Sequence, residues 1–328
     1  MSTTTTAVSV MGAMAPVTRR VRAYFAPVNR AAGVPTVFDA AQMGAFALDA
    51  LSAPWVDLGW CSGFARRSET KVGALRTGAP AVVQSQVRTQ VEATVQMQFE
   101  SWGKLQLALA AGSQQMNLLK TTSGAAANGS GGVAAAAVPL QAGSTATSLN
   151  VGVTAAAQFH VGDLVAVDVD YVAQVGFVGS GVSAAYVSSA AAVGSDINYV
   201  RRVSLNVGRV VAITAGTLQL GGTLLAGVPS VGMQVSSLVG FVDREGSGFF
   251  QEWSGLFVMD GEQGDRVIYH YPRLQAMQSS TEMVEALSGP LEQVKLAGAF
   301  RALPVKDMND GETALCFRSY FPGAMRAI

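Results

Sequence analysis

Residues 86–100 read QVRTQVEATVQMQFE, and their alternation decides the fold class. Val87, Thr89, Val91, Ala93, Val95, Met97 and Phe99 fall on one parity. Gln86, Arg88, Gln90, Glu92, Thr94, Gln96, Gln98 and Glu100 fall on the other. A period of two sets alternate side chains on opposite faces of a β-strand. At about 3.3 Å per residue the stretch spans roughly 50 Å, well beyond the usual strand of about five or six residues. Its second face is mostly glutamine, neither a core face nor a strongly charged one.

The rest of the chain is consistent with a subunit covered by other chains. Apolar residues make up 49% and charged residues only 13%, against roughly 25% charged in an ordinary soluble domain. Lys plus Arg equals Asp plus Glu at 22 each, so no overall field draws nucleic acid or anionic lipid. Of the basic residues 17 are Arg and 5 are Lys, the bias found at protein interfaces. A hydrophobic enzyme core would give a similar composition. MSTTTTAVSVMGAMAPVTRR lacks the basic and apolar regions of a signal peptide, and no apolar run is long enough to span a bilayer. A soluble protein from a reducing compartment is expected, with no membrane partner.

Residues 1–17 are small, polar and low in complexity, and are read as a flexible arm. The Gly/Ala/Ser/Thr-rich stretch 121–148 is read as a linker or large loop. Between about 148 and 235, short β-rich runs separated by glycines point to an inserted small β-barrel. The core is then discontinuous, 18–147 and 236–328. In it, Asp260-Gly261 and Gly264 between apolar runs mark a hairpin, and LEQVKLAGAFRALPV sets Val294, Leu296 and Phe300 opposite Gln293, Lys295 and Arg301. Two helices are expected. In SWGKLQLALAAG, Trp102, Leu105 and Leu109 share a face before Gly112. In SSTEMVEALSGP, Ser279 and Glu282 form a capping box and Gly289-Pro290 a stop. The fold class is mainly β with minor α.

Chemistry-bearing patterns are sparse. Asp163, Asp168 and Asp170 could hold a hard cation, but a strand face with a Gly-Asp turn explains them as well. Asp243-Arg244-Glu245 could be an acid/base cluster or a charged turn tying neighbouring elements or subunits. Cys61 and Cys316, like His160 and His270, lack metal-ligand spacing. No G-x-S-x-G elbow, Walker loop, dinucleotide fingerprint or H-E-x-x-H is present. Neither catalysis nor a cofactor is expected. The pairs Arg19-Arg20, Arg66-Arg67 and Arg201-Arg202 form no continuous basic stripe of the kind static DNA binding requires.

WVDLGWCSGFARRSETKVGALRTG (55–78), with the long strand and SWGKLQLALAAG after it, resembles the N-terminal half of bacteriophage tail tube proteins. GFVDREGSGFFQEWSGLFVMDGEQGDRVIYHYPRLQ (240–275) and ALPVKDMNDGETALCFRSYFPGA resemble their C-terminal half. The resemblance implies a structural virion protein made in the host bacterial cytoplasm. Its subunits would form hexameric rings around a shared inner β-barrel, and the rings would stack into a hollow tube for double-stranded DNA in transit. Tape measure, baseplate, terminator and in some tails sheath proteins would be its other partners. By position, the polar parity from Gln86 to Glu100 would line the lumen, paired with a strand from 249–272 or 292–304. Residues 62–80 would form a loop to the adjacent ring. Arg66, Arg67, Lys71, Arg76, Asp243, Arg244 and Glu245, with the arm at 1–20, are the candidate inter-subunit or inter-ring residues. Arg88 against Glu92 and Glu100 makes the lining strand slightly acidic, which would not hold phosphates. A tail terminator, baseplate hub or decoration protein, or a β-rich hydrolase or carbohydrate-binding module, remain the alternatives.

Overall fold

The computed structural model describes residues 20–28, 34–41, 55–112, 114–122, 133–168, 207–224, 227–244, 252–262, 264–277, 281–286 and 292–322. The chain opens with β1 (Val21–Pro27), β2 (Val56–Thr77), β3 (Val82–Phe99) and α1 (Lys104–Ala111). Five short strands follow, β4 (Gln114–Leu119), β5 (Thr121–Thr122), β6 (Val133–Ala134), β7 (Val138–Pro139) and β8 (Ser148–Asn150). After the one-turn α2 (Val153–Ala156) come β9 (Leu164–Asp168), β10 (Val207–Thr214), β11 (Thr217–Leu220) and β12 (Gln234–Arg244). The C-terminal part holds β13 (Glu252–Asp260), β14 (Arg266–Ala276), β15 (Thr281–Ala286), β16 (Glu292–Ala302), β17 (Val305–Lys306), β18 (Thr313–Ala314) and β19 (Phe317–Phe321). The protein is mainly β, as the alternation requires.

The principal sheet is antiparallel, in the order β15-β16-β3-β2-β1-β13-β14-β19. β16 also pairs with β14, Leu274 opposite Ala302 and Ala276 opposite Phe300. The ladder therefore returns on itself through six strands, β16, β3, β2, β1, β13 and β14. β1 shows how the sequence sets this up. Val21, Ala23 and Phe25 enter one apolar cluster, while Tyr24 and Ala26 enter a second on the other face. In the first cluster Phe25 lies 5.2 Å from Phe300 and 5.9 Å from Phe257, both edge-on, the arrangement aromatic quadrupoles favour. Val95, Met97 and Phe99 of β3 join them, with Leu105 and Leu109 of α1 closing over the cluster. Burying each such side chain contributes about 1.5–3 kcal/mol.

α1 forms where the 101–112 pattern puts it. Gln106 Oε1 accepts the Gly103 N–H at the helix start, and Gly112 ends it at φ 60°. A side chain on Gly112 would strike Ala276 Cβ at 2.8 Å. Trp102 precedes the helix and is exposed, so the buried face is Leu105, Leu109 and Ala110. The Asp260-Gly261 hairpin forms as expected, β13 pairing β14 from Asp260 opposite Arg266.

Two expectations are corrected. The helix expected over 279–290 is instead the strand β15, paired residue for residue with β16 from Thr281 opposite Ala297 to Ala286 opposite Glu292. A six-residue ladder outweighs one capping signal, as tertiary context commonly outweighs helix propensity. The loop expected over 62–80 is instead β2 running on to Thr77, with only 78–81 left as the turn. Its polar composition on both sides hid the strand, which is specified by the ladder to β3.

A second antiparallel sheet, β4-β12-β9-β10-β11-β8 with β7 on β12, encloses its own apolar cluster. That cluster takes in Val138 and Leu140, so the end of the Gly/Ala/Ser/Thr-rich stretch is packed chain. Leu140 N–H bonds to Met233 O and Gln141 N–H to Asn150 O, linking this segment to the start of β12 and to β8 at the sheet's end.

Candidate assembly surface

The β2–β3 hairpin is longer than the sheet that supports it. β1 covers β2 only as far as Cys61, opposite Val21. β16 covers β3 only as far as Thr94, opposite Arg301. Beyond Arg67 and Thr94, which face each other, the two strands pair only with one another among the described residues. The result is a two-stranded ribbon of about ten residues, roughly 30 Å long.

On the supported half, Ala93, Val95, Met97 and Phe99 are at most 3% exposed. On the ribbon, Val72, Leu75, Val82, Val83, Val87 and Val91 are 47–61% exposed. The alternation runs on in sequence, but from Val82 to Val91 the ribbon is exposed on both faces and its aliphatic residues divide between them, which corrects the expected burial of the apolar parity throughout. An isolated two-stranded hairpin is marginally stable in water. Six half-exposed aliphatic side chains on one ribbon are the kind of exposed apolar surface that interaction sites carry.

The ribbon's register is irregular. The ladder shifts between Lys71 and Val72 and again between Leu75 and Arg76, so Thr89 and Gln84 have no residue directly opposite. Such bulges add local twist and pin the register. A third shift, between Ser62 and Ala65, sits at Gly63, whose φ of 60° suits a residue without a side chain.

The polar parity assembles a face that β3 alone does not show. Gln98 lies between Ser62 and Ala297, Gln96 between Ala65 and Ala299, and Thr94 between Arg67 and Arg301. Glu92 faces Glu69 directly. The repulsion is relieved on both sides. Arg301 bonds Glu92 at 2.9 Å, and Arg67 pairs with Glu69. Lys71, opposite Gln90, and Lys295, two residues from Ala297 along β16, fall on the same face. With its neighbours included, the face carries four cations (Arg67, Lys71, Lys295, Arg301) against two carboxylates (Glu69, Glu92). The slight acidity summed from residues 86–100 therefore does not extend to the surface those residues join.

The remaining sequence candidates scatter. Gln86, Arg88 and Gln90 lie exposed on the ribbon with Lys71 and Arg76. Glu100 ends β3, 3.8 Å from Arg20. Arg66 faces Val95, so it points to the apolar side, its guanidinium 5.9 Å over the Tyr269 ring. Asp243 and Arg244 are not in a turn but in β12, opposite Gln115 and Gln114 on the second sheet. Glu245, Asp170 and the arm at 1–17 lie outside the described residues. At the foot of the hairpin the sequence reading missed a cluster. Arg22 bonds Asp57 through two nitrogens and lies 5.3 Å over the Trp60 ring. Its signal was the W-x-D-L-G-W spacing, which puts Asp57 and Trp60 opposite β1.

Among the described residues, no group of three or more His, Cys, Asp or Glu is placed to hold a metal ion. Burial, with Glu100 and Asp57 adding to it, pushes the Cys61 thiol up to about 12. Burial likewise raises the Cys316 thiol. Asp163 accepts from the His160 backbone and caps its own turn. No described helix is long and apolar enough to cross a membrane. No protein-family model matches the sequence, and a comparison with curated proteins gives no match.

Proposed function

We propose that the chain is a bacteriophage tail tube subunit, a structural protein that assembles into stacked hexameric rings around a shared inner β-barrel. The observation that carries the reading is the half-covered β2–β3 ribbon. It is a strand pair that carries exposed aliphatic side chains on both faces, which a second molecule would cover. The four strands β15-β16-β3-β2 form the part of the sheet suited to sharing. Among the described residues no strand pairs with the outer edge of β15, or with β2 beyond Cys61 on the side β1 occupies. Pairing the β2 edge of one copy with the β15 edge of the next is a head-to-tail contact, which closes into a ring when the rotation permits. Closure removes edges that would otherwise template aggregation.

The polar face of the same four strands is then the channel lining, with Glu92, Thr94, Gln96 and Gln98 at its centre. Arg67 and Arg301 are offset by Glu69 and Glu92 beside them, and the face keeps two cations in excess of its carboxylates, so the proposed lining is weakly basic. The second sheet, which joins β4, β7 and β12 to the strands within 148–235, would be the decoration domain outside the tube. Tape measure, baseplate, terminator and, in a contractile tail, sheath proteins are the remaining partners.

Electron microscopy of the purified chain at rising concentration tests this directly. Rings with an axial hole that stack into tubes are expected. Single rings that never stack would favour a terminator. Compact monomers throughout would overturn the reading.

A further inference from the structure

We propose that residues 34–41 are an acid-releasable cover over the second apolar face of the principal sheet, with His270 as its catch. The inference concerns the fold of one chain and does not depend on tube assembly.

Contacts at Thr36 and Phe38 join the cover to the sheet. The Thr36 N–H donates to Ser254 Oγ at 2.9 Å, and that hydroxyl donates to Pro272 O at 2.7 Å. The Thr36 carbonyl faces His270 Nε2 at 3.3 Å. Two residues on, Phe38 plugs into the cluster of Tyr24, Trp55, Leu256, Val258 and Ile268. Val34 and Val37 on the same segment are 59% and 63% exposed, while Ala40 also packs against the cluster.

His270 sits where all these contacts meet. It is 2% exposed, with Phe38 at 6.3 Å, Trp55 at 6.1 Å and Phe317 stacked at 5.9 Å. Because the Thr36 carbonyl can only accept, Nε2 carries the proton of the neutral ring. Nδ1 is then a bare lone pair, buried without a hydrogen-bond partner. Protonating it creates a cation whose new N–H has no acceptor in a cage of rings. The stacked Phe317 face returns only about 0.5–2 kcal/mol of cation–π attraction. Asp39 on the cover and Arg318 on β19 are the charged residues beside these contacts, and neither moves the titration of the ring. Burial lowers it from 6.5 to about 4, with the Thr36 carbonyl partly opposing.

The direction follows from linkage. Above pH 6.5 the ring is neutral whether the cover is closed or open, and pH has no effect. Between 6.5 and about 4 only the open form takes up the proton, so closure weakens by about tenfold per pH unit. Below about 4 both forms are charged, and the loss levels off at no more than about 300-fold, the ratio reached only by a fully exposed ring.

A nitroxide on Val37→Cys in the whole chain reads the cover, with the unsubstituted chain, treated identically, as background for Cys61 and Cys316. The mobile fraction should rise between pH 6.5 and 4 while the strand circular dichroism holds. His270→Gln keeps a donor for the Thr36 carbonyl but does not titrate, and His270→Phe fills the ring site. Both should abolish the rise, and if the Phe variant does not fold, the Gln variant decides. The proposal is overturned by no rise in the parent, by an equal rise in a folded variant, or by strand signal lost at the same pH.

Discussion

The two halves of β3 share one alternating pattern and have opposite surroundings. From Ala93 to Phe99 the apolar parity is buried against Phe300, Phe257 and α1. From Val82 to Val91 the same kind of residue stands in solvent on both faces of a ribbon. Periodicity reports which residues share a face. It does not report whether that face has a partner within the chain. On the proposed reading, a second molecule covers the aliphatic residues that the ribbon leaves exposed.

Substitutions can break this contrast. The largest effect is expected for Val95→Asp. Val95 is fully buried beside Met97 and Phe300, and an unpaired carboxylate there costs on the order of 5 kcal/mol. Thermal melting should show no cooperative transition. Val91→Asp, four residues away and 47% exposed, should leave the melting of the single chain within about 0.5 kcal/mol of the parent. In sedimentation it should cut assembly at least about tenfold, because the charge is buried only between copies. If Val91→Asp unfolds the chain, the two halves do not differ as described.

A change on the polar parity sharpens the contrast from the other side. Replacing Gln90, Gln96 and Gln98 together by Lys should leave assembly close to normal and reduce infectivity of phage carrying the variant, through added phosphate binding. Unchanged infectivity would remove these residues from the channel. The smallest effect belongs to the Glu92–Arg301 pair. Both groups are partly solvated, so a double-mutant cycle on thermal stability should give a coupling of about 0.2–1 kcal/mol, weakened by salt.

How much of this was legible in sequence depended on how local the cause was. The parity of Val95, Met97 and Phe99, the hairpin at Asp260-Gly261 and the helix before Gly112 all rest on neighbours within a few residues, and all were readable. β15 was not, because TEMVEA carries apolar residues compatible with either period and only its ladder to β16 selects the strand. β2 beyond Cys61 was not, because ARRSETKVGALRTG has no apolar parity and takes its conformation from β3. The charge of the polar face was misjudged because Arg67 and Arg301 reach Thr94 from strands far away in the chain. His270 stands between two tyrosines in sequence and lacks metal-ligand spacing. Its tie to Thr36, 234 residues distant, has no local trace.

β16 divides its outer edge between two partners, β15 as far as Ala297 and β14 from Phe300 onward. Gly298 stands at the fork, where a side chain would meet Phe300 at 2.8 Å and Phe99 at 3.2 Å. The fork is a load junction. Antiparallel ladder bonds lie across the strands. Tension along the ribbon therefore loads many bonds together in shear and passes through β16 into the closed ladder. Force applied sideways at β15 would open its bonds one after another up to Gly298 and stop there. Copies joined through these strands would form a wall stiff along the strands and compliant where neighbours meet.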